Sequence, residues 1–241
     1  MKTVVITGGS GDIGLACCKA FVSKGYNVVA TYFNNKDNLL DLSENCPNGN
    51  LTPVYTDVSK PEDVSSLFKS AIDTYGSIDI LVNCAAVSVH GLIQDTENLV
   101  LDNIVDVNVK GVFYACREAV KYMVANHSGS IINITSMWGE TGASCEVAYS
   151  MTKAAVTGLT KALAKEVGPS GIRVNCVSPG LIDTKMNDVY TKEDLDAICE
   201  ETPLMRIGRT DDVSDAVMFL AEDSASFITG QVLSVNGGYV I

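Results

Sequence analysis

The stretch that decides the fold lies at the start of the chain and reads TVVITGGSGDIG, residues 3–14. Its first five residues are all β-branched and predict a buried strand, and the four glycines after them predict a tight turn into a helix. Such glycines allow the backbone to approach a pyrophosphate group, whose negative charge the amide groups at the helix start stabilise. The position between a first strand and a first helix favours a dinucleotide-binding loop over the alternative, a tight turn that binds no ligand.

The rest of the chain alternates between short β-branched runs and stretches with helical periodicity. Strands are predicted at residues 3–7, 27–33, 51–56, 78–83, 130–136, 173–178 and 231–235, and helices at 13–24, 61–75, 97–125, 148–167 and 211–221. Strands that are apolar on both faces, each followed by a helix, indicate a parallel sheet that is covered on both sides. We therefore predict an α/β protein with one domain over residues 1–241, a Rossmann fold with a doubly wound, parallel, seven-stranded sheet. A longer polar insertion, residues 181–207, is expected to form a substrate lid over the carboxyl ends of the strands, where ligands bind.

The composition excludes several classes of protein. Hydrophobic residues make up 46% of the 241 residues, which predicts a large core and argues against disorder. A net charge of −12 disfavours nucleic acid and membranes as partners, because both attract basic surfaces. The eight cysteines have no C-x-x-C or zinc-like spacing, so no metal site is predicted. The chain begins on a strand pattern and not on a signal peptide, so we expect a reducing, cytoplasmic compartment.

The end of the predicted second strand bears on the choice of cofactor. A dehydrogenase that prefers NAD usually places an acidic residue there to bind the ribose 2′-hydroxyl, and none occurs before Asp37. A carboxylate would repel a 2′-phosphate, so its absence beside Asn34, Asn35 and Lys36 favours NADP(H) over NAD(H). The alternative is that these three are only solvated loop residues.

The residues with the clearest chemistry are Tyr149 and Lys153, four positions apart and therefore on one face of a helix. A phenol with an unperturbed pKa of about 10 is a poor acid near neutral pH. We expect the ammonium of Lys153 to lower the pKa of Tyr149 and so to allow proton exchange with a substrate oxygen. Ser136, at the end of the preceding strand, is placed to donate a hydrogen bond to that oxygen. Alone, such a Tyr–Lys pair usually lies on a helix surface, but with the glycine loop and the serine it predicts a catalytic site.

The glycine loop, Ser136, Tyr149 and Lys153 together resemble the motifs of the short-chain dehydrogenase/reductase family. The resemblance covers essentially the whole chain. The resemblance implies an NAD(P)-dependent enzyme that moves a hydride between a nicotinamide and a carbonyl. It implies a catalytic tetrad of Asn108, Ser136, Tyr149 and Lys153, with Tyr149 as the proton donor. In the family Lys153 also holds the nicotinamide ribose, and Asn108 holds a water that relays protons.

The same resemblance implies a set of cofactor contacts on the glycine loop, the strand ends and the Pro-Gly turn. They are Gly8, Ser10, Asp12, Ile13, Asn34, Asp57, Val58, Asn83, Ala85, Tyr149, Lys153, Pro179, Gly180, Ile182 and Thr184. Two residues depart from the family pattern, since Asp12 replaces the second loop glycine and Ala86 replaces the glycine of the fourth-strand motif. Gly11 stands where many NADP-preferring members carry a basic residue. Asp12 places a negative charge close to a phosphate site, which argues against NADP.

Two subfamilies compete for the substrate. Residues 206–209, 227–231 and 236–238 resemble 3-oxoacyl-[acyl-carrier-protein] reductases, which receive an acidic carrier protein and need basic residues beside the site entrance. Those enzymes carry arginines where this chain has Ser130 and Ser170, which counts against a carrier-protein substrate.

Residues 137–149 resemble instead the elongation factor P 5-aminopentanone reductases. This resemblance implies reduction of a 5-aminopentanone group, on a lysine of that translation factor, to 5-aminopentanol. Glu146, three residues before Tyr149, either faces a substrate ammonium group or is a solvated loop carboxylate. Trp138, the only tryptophan, either lines the pocket or fills the core beneath the lid.

Two further functions fit the same residues. A nucleotide-sensing regulator would bind NADP without catalysis, although such proteins typically lack the tyrosine or the lysine. A dehydrogenase acting oxidatively on a sterol or sugar alcohol would use the same groups in reverse. The family resemblance also implies a homotetramer that assembles through the helices predicted at 97–125 and 148–167.

Overall fold

A single parallel sheet forms the centre of the computed structural model, which describes residues 1–46 and 50–241. Its strands are β1 (Thr3–Thr7), β2 (Asn27–Tyr32), β3 (Leu51–Tyr55), β4 (Ile80–Asn83), β5 (Gly129–Ile134), β6 (Ile172–Pro179) and β7 (Val232–Val235). These seven strands lie in the order β3-β2-β1-β4-β5-β6-β7, and each adjacent pair is parallel. The order reverses between β1 and β4, where the crevice at the carboxyl ends of doubly wound sheets binds ligands.

Helices cover both faces of the sheet. They are α1 (Asp12–Ser23), α2 (Asp37–Glu44), α3 (Pro61–Tyr75), α4 (Asn98–Val105), α5 (Val112–Asn126), α6 (Trp138–Thr141), α7 (Val147–Val167), α8 (Lys192–Glu201) and α9 (Thr210–Ala221). Successive strand residues point to opposite faces, so Val4 and Ile6 pack in the core beneath α1 and α9, whereas Val5 packs beneath α3, α5 and α7. The predicted α/β Rossmann fold is confirmed. Nowhere in the described ranges is a helix both long and apolar enough to cross a membrane.

Three helices, α2, α6 and α8, were absent from the sequence prediction, and one predicted helix is divided. α2 has eight residues and buries only Leu39, and so short a segment gives a weak helical signal in the sequence. α8 begins with a capping box in which Thr191 and Asp194 bond each other's backbone, a local signal that the polar composition of the insertion obscured. The helix predicted over 97–125 is α4 and α5, joined by a π-helical turn at Asp106–Gly111. Single π turns often occur at functional sites, and this one carries Asn108.

The insertion at residues 181–207 is called the lid below. Its first and last residues lie side by side next to the sheet. Ile182 and Gly208 form a parallel bridge, and the Gly208 amide donates to the Leu181 carbonyl at 2.8 Å. The lid contains α8, whose Glu201 accepts a hydrogen bond from the Tyr239 hydroxyl at 3.0 Å. The insertion is therefore closed at its base and attached to the C-terminal segment.

Candidate active site

The glycine loop between β1 and α1 is held against two neighbouring strand ends. Gly8 has φ +68°, in the left-handed region that favours glycine, and a Cβ there would lie 2.6 Å from the Ala85 amide nitrogen. The Gly8 amide donates to the Thr31 hydroxyl at 2.9 Å, and the Ser10 amide donates to the Thr31 carbonyl at 3.3 Å. Residues 10–13, on the outer edge of this loop, are half-buried or exposed. The loop is thus shaped by close backbone packing, while its outer edge is open to a ligand.

Asp12 connects this loop to the lid. It stands in the first turn of α1, and its carboxylate accepts a hydrogen bond from the Lys185 amide at 2.8 Å. Thr184, the residue before, donates to the Ile182 carbonyl at 3.3 Å, and Ile182 is buried. The residue that departs from the family glycine therefore has a structural partner, because it fixes the start of the lid to the glycine loop.

The other strand-end residues lie along the same edge of the sheet, although not all of them face the crevice. The Asp57 carboxylate accepts hydrogen bonds from the Ser59 amide at 3.0 Å and the Ser59 hydroxyl at 2.6 Å, and Val58 packs against Gly111. Asn34 is exposed just after β2. The Ala85 amide donates to the Thr7 hydroxyl at 3.3 Å.

The side chain of Asn83 points into the core and not into the crevice, and the cofactor contact expected at this residue stays a prediction. Asn83 is buried, and its amide group donates to the Asn133 side chain at 2.8 Å. Asn133 in turn donates to the Thr160 hydroxyl at 2.7 Å. A strand residue points to one face only, and at this position that face is the core beneath α7. Asn83 therefore belongs to a buried polar network that joins β4, β5 and α7.

The Pro-Gly turn after β6 places the base of the lid beside β5. The Met137 amide donates to the Pro179 carbonyl, and the Gly180 amide donates to the Val235 carbonyl, both at 3.0 Å. A Cβ on Gly180 would lie 2.8 Å from the Asn236 Cα, so glycine is required for this close approach of β6 and the C-terminal segment.

Ser136, Tyr149 and Lys153 come together at the carboxyl end of β5. Ser136 lies two residues after the end of β5, and Tyr149 and Lys153 occupy the first two turns of α7. The Lys153 Nζ lies 5.5 Å from the centroid of the Tyr149 ring, within cation–π range, and donates to the Ile134 carbonyl at 3.0 Å. All three side chains are buried. The predicted hydroxyl, phenol and amine therefore form one cluster.

The pKa of Tyr149 does not follow the sequence expectation. Burial raises it well above the ordinary value, the charge of Glu146 raises it further, and the Ser136 hydroxyl opposes the rise. Burial also lowers the pKa of Lys153 to about 8. The net shift is therefore opposite to the lowering predicted from Lys153, and its largest causes are the loss of solvation and the nearby carboxylate.

Asn108 joins three segments around this cluster. Its side-chain oxygen accepts from the Val87 amide at 2.9 Å, and its nitrogen donates to the Val87 carbonyl at 2.8 Å and the Thr152 hydroxyl at 3.1 Å. Thr152 directly precedes Lys153 on α7. Asn108 thus fixes the segment after β4 against the helix that carries Tyr149, and its role in holding a water stays a prediction.

A second cluster, named here the Glu146 cluster, consists of His90, Trp138, Glu146 and Tyr190. Glu146 is only 7% exposed, so the alternative of a solvated loop carboxylate is wrong. The Tyr190 hydroxyl, from the lid, donates to Glu146 Oε1 at 2.9 Å, and His90 Nδ1 lies 3.8 Å from the same oxygen. Trp138 interacts with the Tyr190 phenol and packs edge-to-face on Tyr239, with ring centroids 5.9 Å apart. Sequence reasoning missed Tyr190 and His90, which carry no motif and are remote from Glu146 in the chain.

The comparisons with known proteins agree with this geometry. A family model described as Enoyl-(Acyl carrier protein) reductase matches residues 9–240. The chain is 39% identical over 241 residues to "Uncharacterized oxidoreductase YmfI" of Bacillus subtilis. The aligned residues cover 99% of this chain and 98% of that protein. It is 35% identical over 239 residues to the 3-oxoacyl-[acyl-carrier-protein] reductase FabG of Staphylococcus epidermidis, covering 98% of each. With FabG of Thermotoga maritima it shares 34% identity over 242 residues, covering 100% of this chain and 98% of that one.

These matches span nearly the whole chain and define its class. The chain belongs to the short-chain dehydrogenase/reductase family. It is accordingly an NAD(P)-dependent oxidoreductase that acts on CH–OH or C=O groups.

Proposed function

We propose that this oxidoreductase is an NADPH-dependent carbonyl reductase that acts in the cytoplasm on the 5-aminopentanone group carried by a lysine of elongation factor P. The observation that carries the proposal is Glu146, a buried carboxylate three residues before Tyr149. Within residues 1–46 and 50–241, the only basic group paired with it is the half-exposed His90, at 3.8 Å. A buried charge without a strong partner is costly, and a substrate ammonium group would offset that cost.

The glycine loop and the strand ends fit a dinucleotide. The left-handed Gly8 packs its backbone closely on Ala85, and residues 10–13 on the outer edge of the loop are half-buried or exposed, so their backbone is open to contact with a pyrophosphate. Ser10, Asp12 and Ile13 would lie at the pyrophosphate, Asn34, Asp57 and Val58 on the adenosine side, and Ala85, Gly180, Ile182 and Thr184 towards the nicotinamide. Absence of an acid at the end of β2 supports NADP(H), and the charge of Asp12 is partly engaged by the Lys185 amide.

In the proposed mechanism a bound nicotinamide supplies the hydride to the carbonyl carbon. Tyr149 donates its phenolic proton to the oxygen, which becomes the hydroxyl of the alcohol, and Ser136 polarises that oxygen by donating a hydrogen bond. Lys153, with its pKa lowered to about 8, exchanges protons near neutral pH and stabilises the phenolate that Tyr149 leaves behind. Asn108 positions Lys153 through Thr152. The same groups serve oxidation of an alcohol in the reverse direction, so the NADP(H) preference is what favours reduction.

The second candidate function is a 3-oxoacyl-[acyl-carrier-protein] reductase, which the full-length similarity to the FabG proteins favours. The argument from Ser130 and Ser170 against it is weaker than the sequence indicated. Ser130 pairs with Arg173 at the amino end of β5 and donates to the Leu220 carbonyl at 3.1 Å, and Ser170 lies just before β6. Both positions are at the amino ends of the strands, whereas Ser136 is at the carboxyl ends. Neither position therefore borders the entrance of this protomer's own site.

A homotetramer is also part of the proposal. Leu99 on α4, Phe113 on α5 and Met151 on α7 are 78%, 51% and 49% exposed. Large apolar side chains exposed on the helices that the family resemblance assigns to the interface support assembly there. Sedimentation of the purified chain tests this, with a monomer at micromolar concentration as the contradicting result.

The function is tested by mass spectrometry of elongation factor P that bears the 5-aminopentanone group, before and after incubation with this protein and NADPH. A gain of two daltons on the modified lysine is expected, because reduction adds two hydrogens. Turnover of 3-oxoacyl thioesters, with no change in elongation factor P, would instead establish the second candidate. Absence of NADPH oxidation with either substrate, despite tight cofactor binding, would favour a nucleotide-sensing regulator.

A further inference from the structure

The position of Glu146 presents an electrostatic conflict. Its buried carboxylate raises the pKa of Tyr149, whereas transfer of the Tyr149 proton produces a phenolate that needs stabilisation. A negative charge beside a residue that becomes negative opposes the reaction. An oxidoreductase for uncharged ketones would gain from a neutral residue at this position, so the carboxylate requires a separate explanation.

The lid takes part in holding this charge. Tyr190 donates to Glu146 Oε1, and burial together with the neighbouring carboxylate raises the pKa of the Tyr190 phenol, so the phenol remains protonated as a donor. His90 approaches the same oxygen only at 3.8 Å, beyond hydrogen-bond distance, and its side chain is 49% exposed. The second carboxylate oxygen, Oε2, accepts no hydrogen bond from the residues that the structure describes. Oε2 is also not among the fully enclosed atoms without a partner, so this oxygen is accessible to another donor.

We propose that a cationic group on the substrate binds Glu146 beneath Tyr190 and thereby activates Tyr149, so that the enzyme is selective for ketones that carry an ammonium group. The bound cation cancels the field of Glu146 at the phenol, which removes the conflict only when the correct substrate is present. Tyr190 is a positioning residue, since it orients the carboxylate from the lid. This inference rests on the proposed function because it assumes an aminoketone as the substrate. It does not depend on whether elongation factor P carries that aminoketone.

The experiment compares two small ketones of the same shape, 4-aminobutan-2-one and pentan-2-one, with NADPH and the full chain. The unsubstituted enzyme is expected to prefer the aminoketone in kcat/KM. Glu146→Gln keeps the shape and the hydrogen bond to Tyr190 but removes the charge, and it should lower kcat/KM for the aminoketone about 30-fold and raise that for pentan-2-one. Tyr190→Phe should lower the aminoketone value by about 3-fold to 10-fold, mainly through KM. Glu193→Gln, an exposed change on the lid, is the matched control and should alter neither ketone.

A pH profile separates the electrostatic role from a structural one. Tyr149 is faced by Glu146, by Lys153 on its own helix, by Ser136 after β5, by Cys84 after β4 and by Tyr190 of the lid. Oxidation of pentan-2-ol with NADP⁺ needs the deprotonated phenol, so its rate rises with pH. Removal of the Glu146 charge lowers the pKa of Tyr149, and Glu146→Gln should therefore move this rise to lower pH. The inference would be overturned if Glu146→Gln lowered kcat/KM equally for both ketones, or if it left the pH profile of pentan-2-ol oxidation unchanged.

The outcome is distinguishable from that of the elongation factor P experiment. Charge-dependent selectivity at Glu146 without reduction of elongation factor P supports the inference and assigns the site to another aminoketone. Reduction of elongation factor P that is unaffected by Glu146→Gln supports the proposed function and rejects the inference.

Discussion

The proposed cofactor side and the proposed substrate side of this crevice are built in different ways. On the cofactor side, the Gly8 backbone packs against the Ala85 backbone and its amide donates to the Thr31 hydroxyl, at the ends of adjacent strands. On the substrate side, the Glu146 cluster is assembled from side chains on the lid, on α6 and on two loops. Parallel strand ends are held in register by the sheet, whereas the side chains of the cluster are held by one another. The first arrangement suits a ligand common to a whole family, and the second suits a substrate that differs between members.

Tyr149→Phe gives the largest expected effect, because Tyr149 lies where the two sides meet. Loss of the phenolic proton should lower kcat by about 10³-fold or more, while NADPH affinity changes less than about 3-fold. Stopped-flow reduction of a ketone and fluorescence titration of NADPH measure these separately. Substantial turnover in the variant would remove Tyr149 from the mechanism, and loss of NADPH binding would show that the residue acts through the structure of the site.

Gly8→Val tests whether the cofactor side depends on backbone geometry. A β-branched residue at φ +68° is strained, and its Cβ would meet the Ala85 backbone at 2.6 Å. We expect NADPH affinity to fall at least about 10-fold and the free energy of unfolding to fall by about 2–3 kcal/mol. Gly11→Ala is the matched control, since Gly11 has φ −78° and its Cβ would meet its nearest atom at 3.4 Å. Equal effects of the two changes would argue against this explanation.

The same contrast explains how far the sequence predicts the molecule. The strands and the glycine loop are local patterns, so β1 and the start of α1 are predicted almost residue by residue. Tyr190 is separated from Glu146 by 44 positions and carries no pattern of its own, so only the folded chain brings the two together. The pKa of Tyr149 was misjudged for a related reason. Lys153 is visible four residues away, whereas burial of the phenol depends on the packing of the lid and β5.

The lowered pKa of Lys153 predicts a smaller effect, on stability rather than on turnover. Between pH 8 and the ordinary value of 10.5, the unfolded chain binds a proton at this lysine that the folded chain does not. The contribution of Lys153 to the free energy of unfolding therefore rises as pH increases through this window. Relative to Lys153→Met, the unsubstituted chain should gain about 1–2 kcal/mol between pH 8 and pH 9.5, measured by urea denaturation at both values. The difference between the two chains removes the contributions of the cysteines and tyrosines, and a constant difference would show that Lys153 is not deprotonated by burial.

The smallest expected effect concerns Asp12, which links the cofactor side to the lid. Asp12→Asn keeps an oxygen for the Lys185 amide but removes the charge, and Asp12→Gly removes both. If the charge acts on a bound phosphate, both variants should bind NADPH about 2-fold to 5-fold more tightly relative to NADH. Only the glycine variant should also loosen the lid, measured as faster amide hydrogen exchange in residues 181–207. If the ratio of the affinities for NADPH and NADH is unchanged in Asp12→Asn, this carboxylate has no influence on cofactor choice. Its place in the loop would then be explained by its bond to the lid, which belongs to the substrate side of the crevice.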